Sequence, residues 1–181
     1  MTTQSIVLMG LKHSGKSSFG RQLADKLERD FFDLDDIVET SYRSDRLVSC
    51  REIYLRHGKE YFAELEGESA KILAEKLDQE AIVAALGGGT GENEVAMQAI
   101  VGHGVLVYIN DSEDRLFERI MKRGRPAFLP EANPEVAFHE LYQKRHLLYS
   151  RYADAIAQID GARDEAYARL LTTIWEYRDA R

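Results

Sequence analysis

The 181-residue sequence has a single cysteine, Cys50, and only three prolines, Pro126, Pro130 and Pro134. One cysteine excludes an intramolecular disulfide and any cysteine-based zinc site, and a lone Cys in a helical-looking stretch is a poor nucleophile. Long hydrophobic runs are missing as well. Spanning a bilayer takes about 20 apolar residues, whereas the longest runs here, such as Ala81-Ile82-Val83-Ala84-Ala85-Leu86, are core-sized. The N-terminus shows no basic segment leading into an apolar one, so a cytoplasmic protein with no membrane partner is expected. There is no excess of positive charge. Lys and Arg total 24 against 31 Asp and Glu, a formal charge of −7, which disfavours nucleic acid because phosphate-backbone affinity comes from clustered cations. An anionic small molecule would need locally concentrated arginine. With 44% hydrophobic and 30% charged residues, the composition is that of an ordered globular chain, and its length fits one domain over 1–181.

What is present is organised around Gly10-Leu11-Lys12-His13-Ser14-Gly15-Lys16-Ser17-Ser18, a Walker A loop. It follows the apolar run Ile6-Val7-Leu8-Met9 and precedes Phe19, Leu23 and Leu27 at i, i+4, i+8, giving the required order of strand, glycine loop and helix. Chance would produce G-x-x-x-x-G-K-[ST] on the order of 0.5% of the time in a chain this long, before flanking elements are asked for. In such a loop, backbone N–H groups and a helix N-terminus converge on phosphate oxygens. The lysine reaches the β/γ-phosphates and the following hydroxyl ligates Mg²⁺. Gly10, Ser14, Gly15, Lys16, Ser17 and Ser18 are therefore the nucleotide-binding candidates, with ATP and Mg²⁺ as expected cofactors. No Asn-Lys-x-Asp guanine-reading motif occurs.

Strand-like runs alternate with helix-length periodic segments, which argues for a parallel sheet covered by helices. Strands are expected at Ser5–Met9, Phe31–Asp33, Ala81–Leu86, Val105–Ile109 and Ala155–Ile159. Helices are expected near 16–28, 36–56 in broken form, 59–77, 92–101, 113–122, 135–151 and 164–178, the last packing Ala166, Leu170, Ile174 and Tyr177 on the sheet. All three prolines fall within nine residues beside Gly124 and Asn133. With Arg119, Lys122, Arg123 and Arg125 at its flank, this loop reads as a lid over phosphates, ordered by nucleotide.

Two further stretches read as parts of a site. In Phe31-Phe32-Asp33-Leu34-Asp35-Asp36, alternation along an extended strand would project Asp33 and Asp35 together. Such a pair suits one carboxylate for Mg²⁺ and one for orienting and deprotonating an acceptor hydroxyl. Helix capping by Asp35 or Asp36 is the structural alternative. Gly87-Gly88-Gly89, directly after a strand-like run, would let a ligand approach the backbone or form a flexible turn. His57, His103, His139 and His146 share no ligand spacing and read as surface or packing residues.

Together the Walker A loop, Phe31-x-Asp33-x-Asp35, Gly87-Gly88-Gly89, Arg125-Pro126 and Lys144-Arg145-x-x-x-Tyr149 resemble shikimate kinase, in order over nearly the whole chain. The resemblance implies an α/β P-loop NTPase fold of three layers, like nucleoside-monophosphate kinases, with a five-stranded parallel sheet in order 2-3-1-4-5, helices on both faces and a lid at about 119–134. It implies ATP-dependent transfer of a phosphoryl group to a hydroxyl of shikimate by a monomer. By position, Lys16 and Ser17 match the phosphate and Mg²⁺ groups and Asp33 the metal-side aspartate. Asp35 matches the aspartate that grips the acceptor hydroxyls, in a subdomain at about 35–62. Gly87, Gly88, Gly89 and Arg145 match acceptor contacts, Arg125 the lid arginine at the transferred phosphate, and Arg119 the adenine-side arginine.

Departures from the family pattern fall mainly at the acceptor. Phe62-Ala63-Glu64-Leu65-Glu66 stands where the family carries Phe-Arg-x-x-Glu, whose arginine holds the shikimate carboxylate. The chain is also about four residues longer around Arg43 to Arg51, so Arg43, Arg46 or Arg51 is expected to supply a replacement guanidinium. Otherwise the acceptor is a larger or less acidic polyol. His13 replaces a third loop glycine, which requires a left-handed backbone that His tolerates. Alternatives to a shikimate-phosphorylating enzyme are a kinase for another polyol or sugar acid and a non-catalytic ligand-sensing domain.

Overall fold

The apolar run after Ser5 forms β1 (Ile6–Met9), buried along its whole length in the computed structural model, which describes residues 4–44, 46–122, 124 and 129–180. It is the central strand of a five-stranded parallel sheet of order β2-β3-β1-β4-β5. Ile6 lies opposite Val83 of β3 (Val83–Ala85) on one side and Val105 of β4 (Val105–Asp111) on the other. β2 (Phe31–Asp33) pairs outside β3, and β5 (Ala155–Ile159) outside β4. A parallel sheet is covered on both faces, so both sides of the strand alternation are apolar. Ile6 and Leu8 face α1 (Lys16–Leu27) and α7 (Arg163–Asp179), which contribute Phe19, Leu23, Ala166, Leu170 and Ile174. Val7 and Met9 face the opposite layer of α2 (Leu34–Ser41), α3 (Cys50–Gln79), α4 (Glu94–Ile100), α5 (Glu113–Lys122) and α6 (Pro134–Tyr152).

The element boundaries differ from the sequence expectation for local reasons. α2 begins at Leu34 rather than 36 because Asp33 is its N-cap, accepting from the Asp35 N–H at 3.1 Å. The chain leaves the helix at Tyr42 and re-enters at Cys50 under a capping box, in which Ser49 Oγ accepts from Glu52 N–H and the Glu52 carboxylate accepts from Ser49 N–H. The break foreseen near 57–58 is a single residue, Gly58, at φ 83° inside α3. β4 extends two residues past Ile109 because Asn110 and Asp111 pair with Gln158 and Ile159. The helix expected over 92–101 is split. Asn93 caps α4 by accepting from Ala96 N–H, and a 3-10 turn, Thr90–Glu92, stands before it.

The phosphate loop, the β2–α2 junction and the glycine run leave the carboxyl ends of β1, β2 and β3, which are adjacent in the sheet. In an open α/β sheet that edge is where ligands bind. No helix of the described residues is long and apolar enough to cross a membrane.

Candidate active site

The phosphate loop is held by backbone conformation. Gly10 and Gly15 have φ of 149° and 96°, and His13 adopts 67°, the left-handed geometry its position requires. A Cβ on Gly10 would stand 2.7 Å from the carbonyl oxygen of Ile109, so only glycine fits against β4. Gly15 caps α1 without a side-chain hydrogen bond, leaving the first-turn N–H groups directed at the cavity. Lys16 is buried, and its Nζ donates to the carbonyls of Gly10 at 2.9 Å and Leu11 at 3.0 Å. Burial pushes its pKa down to about 8, against the opposing pull of Asp35 and Asp33. Ser17 Oγ donates to Asp33 Oδ2 at 2.5 Å. Ser18 Oγ accepts from Arg163 at the start of α7, and Ser14 Oγ is buried with no hydrogen-bond partner among the described residues. Gly10 and Ser14 shape the loop, whereas Gly15, Lys16, Ser17 and Ser18 line the cavity beside it.

The two aspartates converge, though not by strand alternation. Asp33 ends β2, whereas Asp35 lies in the first turn of α2, so a helix start rather than a pleated strand sets their relation. The capping role assigned to Asp35 or Asp36 belongs to Asp33. One Asp33 oxygen caps α2 and the other accepts from Ser17, tying the β2–α2 junction to α1. Asp35 opens onto the cavity. Burial first, then the neighbouring Asp33 charge and Glu66, pushes its pKa up to about 6, with Lys16 pulling the other way. The Cys50 thiol lines the same cavity, but burial, Asp35 and Glu39 raise its pKa well above the usual range, which leaves no thiolate for chemistry.

Two of the three glycines in the run, Gly87 and Gly88, are required by close approach. A Cβ on Gly87 would meet Asp35 Oδ1 and Thr90 Oγ1, both at 2.8 Å, and one on Gly88 would stand 2.8 Å from the backbone nitrogen of Lys12. The Gly88 carbonyl accepts from Arg145 at 2.8 Å and from the Tyr149 hydroxyl at 2.7 Å, so α6 clamps the turn. Arg145 also pairs with Glu92 at 2.9 Å, as does Lys144 at 2.5 Å. A methyl on Gly88 would push against main chain, which cannot rotate away. Gly88→Ala is therefore expected to cost about 1–3 kcal/mol, lowering Tm by several degrees and raising the KM for ATP as the phosphate loop shifts. Differential scanning calorimetry and an ATP titration check this; unchanged values of both would show that the turn has room to spare.

One cavity of about 980 Å³ takes in the phosphate loop, both aspartates, Gly87–Gly89, Arg119 and Arg145, and is closed on a further side by α3. Its size suits a nucleotide and a small acceptor together. Arg119 sits on α5, within the helix expected over 113–122. It donates to the fully buried Asp111 at 2.6 Å and to the His13 carbonyl at 3.1 Å, and Arg115 shares Asp111 at 3.3 Å. Arg125, with Arg123, Pro126 and most of the expected lid, lies outside the described residues. Of the three arginines offered as substitutes at the acceptor, Arg51 lines the cavity and Arg43 and Arg46 do not; Arg46 pairs with Glu52 at 2.9 Å. Sequence reasoning missed Lys12, Lys59 and Glu92, which also line it. It missed Asp111 too, the buried counter-ion of Arg119. Lys59 is four residues before Ala63, and that helical spacing was the available signal.

A family model described as shikimate kinase matches residues 12–175. Among curated relatives, the shikimate kinase of Chlamydia pneumoniae is 38% identical over 156 residues, covering 86% of each chain. That of Thermodesulfovibrio yellowstonii is 32% identical over 173 residues, covering 96% of this chain and 95% of the relative. Among solved structures, shikimate kinase from Acinetobacter baumannii in complex with shikimate superposes with a TM-score of 0.80 at 25% identity, covering 97% of this chain and 94% of the other. The fold and sheet order are thus those of shikimate kinases.

Proposed function

We propose that this chain, which belongs to the shikimate kinase family and is an ATP-dependent kinase, transfers the γ-phosphoryl group of ATP to a hydroxyl of shikimate, giving shikimate 3-phosphate. The observation that carries this reading is the meeting, in one cavity, of a phosphate loop with Lys16, a Ser17–Asp33 oxygen pair and the raised-pKa carboxylate Asp35. The loop amides and Lys16 would bind the nucleotide phosphates, Lys16 exchanging its hold on the Gly10 and Leu11 carbonyls for phosphate oxygens. Arg119, fixed by Asp111 against the phosphate loop, would bound the nucleotide on the α5 side. Ser17 and Asp33 fit Mg²⁺, a hard ion usually held by one or two protein oxygens and completed by phosphate and water. Among the described residues no group of three or more His, Cys, Asp or Glu side chains could hold a metal ion. When bound there, Mg²⁺ supplies charge neutralisation at the transferring phosphoryl group.

Asp35 would accept the proton of the acceptor hydroxyl as its oxygen attacks the γ-phosphorus, with Gly87–Gly89 and Arg145 forming the facing wall. Acceptor binding is assigned to about 35–62, phosphate closure to about 119–134 with Arg125 at the transferred group, and the whole to one domain over 1–181. A coupled ADP-release assay over shikimate, quinate, gluconate and neutral sugars tests the assignment. Saturable turnover of shikimate well above the others supports it, and turnover of another compound in preference overturns it. Ala63, standing where the family carries a carboxylate-holding arginine, favours one alternative, a kinase for a larger or less acidic polyol.

The pH dependence follows from the two shifted groups. Asp35 works ionised and its pKa is raised to about 6, so kcat/KM for the acceptor should fall tenfold per unit as pH drops below about 6. Lys16 works protonated and its pKa is lowered to about 8, so kcat/KM for ATP should fall as pH rises past about 8. The two titrations are coupled and the limbs belong to the pair. Profiles of both constants check this; an acidic limb near pH 4 would remove Asp35 as the titrating base.

A further inference from the structure

Shikimate carries a carboxylate, and the cavity's acceptor side already holds two negative groups, Asp35 and Glu66. A cation without a counter-ion is needed to offset that field. Most cations lining the cavity are committed. Lys16 donates to loop carbonyls, Arg119 to Asp111, Arg145 to Glu92 and Gly88, and Lys122 lies 3.8 Å from Glu118. Three remain with no hydrogen bond or ion pair among the described residues: Lys12 in the phosphate loop, and Arg51 and Lys59 on α3.

We propose that Arg51 and Lys59 together form the binding site for the acceptor's carboxylate. They line the cavity from the two arms of α3 on either side of the kink at Gly58, Arg51 with Leu55 one turn on in the first arm and Lys59 with Ala63 and Glu66 at helical spacing in the second. Ala63 is the short side chain in that wall and leaves space beside Glu66. Nothing charged is stranded by it, because Glu66 accepts from Thr90 Oγ1 at 2.7 Å and Asn93 Nδ2 at 2.8 Å. Side chains on a helix lean towards its N-terminus, so an arginine at 63 would extend over the turn that carries Lys59. Lys59 therefore supplies positive charge at the turn where such a guanidinium would have ended, and Arg51 adds to it from the other side of the kink. Gly58, at φ 83°, breaks the helix immediately before Lys59 and sets the angle between the Arg51 turn and the Ala63 turn.

This inference rests on the reading of the chain as a kinase for a small hydroxylated acid. It is tested with shikimate and its methyl ester, which differ in the charge the two cations would meet, using wild type, Arg51→Gln, Lys59→Gln and the double variant. The wild type should prefer shikimate to the ester. The double variant should raise the KM for shikimate about ten- to a hundredfold, far more than the KM for ATP, and should no longer distinguish acid from ester. Adding Ala63→Arg to the double variant should restore much of the preference. A double variant with wild-type KM for shikimate, or with equal losses on acid and ester, overturns the proposal. If quinate or gluconate replaces shikimate as substrate, the shikimate assignment fails, and the same comparison of that acid with its ester still decides the role of the two cations. If only neutral polyols are phosphorylated, both fall.

Discussion

Lys16→Ala is expected to lower kcat by roughly 10² to 10³ at saturating Mg²⁺-ATP. The ammonium is already fixed at the mouth of α1 by the Gly10 and Leu11 carbonyls, so it reaches the phosphates with little reorganisation at the moment of transfer. Phosphoryl transfer asks little covalent chemistry of the protein, and losing one preorganised charge at the transferring group is correspondingly expensive in rate. Stability should move in the other direction or hardly at all, because a buried ammonium with its pKa lowered to about 8 is a desolvated charge that the fold does not favour. The sign is that of a base with a depressed folded-state pKa: its penalty is full below about 8, fades as pH rises from there to the unfolded value, and is gone above it. Turnover in the coupled assay and Tm at neutral pH check both parts. Wild-type turnover in the variant would remove Lys16 from the reaction.

How far the site was legible in the sequence depended on whether local chemistry or distant packing placed each residue. The phosphate loop was fully legible, because Gly10, Gly15 and Lys16 are constrained by neighbours in the chain, and His13 was rightly expected in the left-handed region. The strands were legible from their apolar runs, with errors where pairing partners decide the ends, as at Asn110 and Asp111 opposite β5. The sheet order came from resemblance to a family, since composition and periodicity carry no strand order. Asp33 and Asp35 were correctly grouped for the wrong reason: the pattern Asp-x-Asp after two aromatics reads equally well as a strand or as a capped helix start, and the cap prevails. Lys59 shares the expected helix over 59–77 with Ala63, one turn apart, but nothing in the sequence shows that the arms on either side of the break at Gly58 line the same cavity. The counter-ion role of Asp111 depends on Arg119 eight residues further on, across the start of α5. No short motif announces such a pair.

The second large effect separates the two aspartates. Asp35→Asn keeps the shape of the side chain but removes its capacity to take a proton, and loss of a positioned general base typically costs about 10² to 10⁴ in rate. Acceptor-dependent ADP release should fall by that amount while Mg²⁺-ATP binding at pH 7 stays close to wild type, because the Ser17–Asp33 pair and the loop are untouched. Asp35 is also the charge that most strongly opposes the lowering of the Lys16 pKa by burial, so removing it should bring the alkaline loss of ATP affinity to lower pH. That shift is small at pH 7 and visible near pH 8. Stability should rise slightly, since a carboxylate whose folded pKa is raised is least favourable where it is ionised, above about pH 6, and asparagine carries no such charge. Asp33→Asn should behave differently on each count. It leaves the Asp35 base in place, raises the Mg²⁺ concentration needed for half-maximal rate, and weakens the link between α1 and the start of α2. Isothermal titration with Mg²⁺-ATP, Mg²⁺ dependence of turnover and Tm distinguish the two variants. An Asp35→Asn protein that fails to bind nucleotide at pH 7, or an Asp33→Asn protein with wild-type Mg²⁺ dependence, would mean that the division of labour between the two carboxylates is wrong.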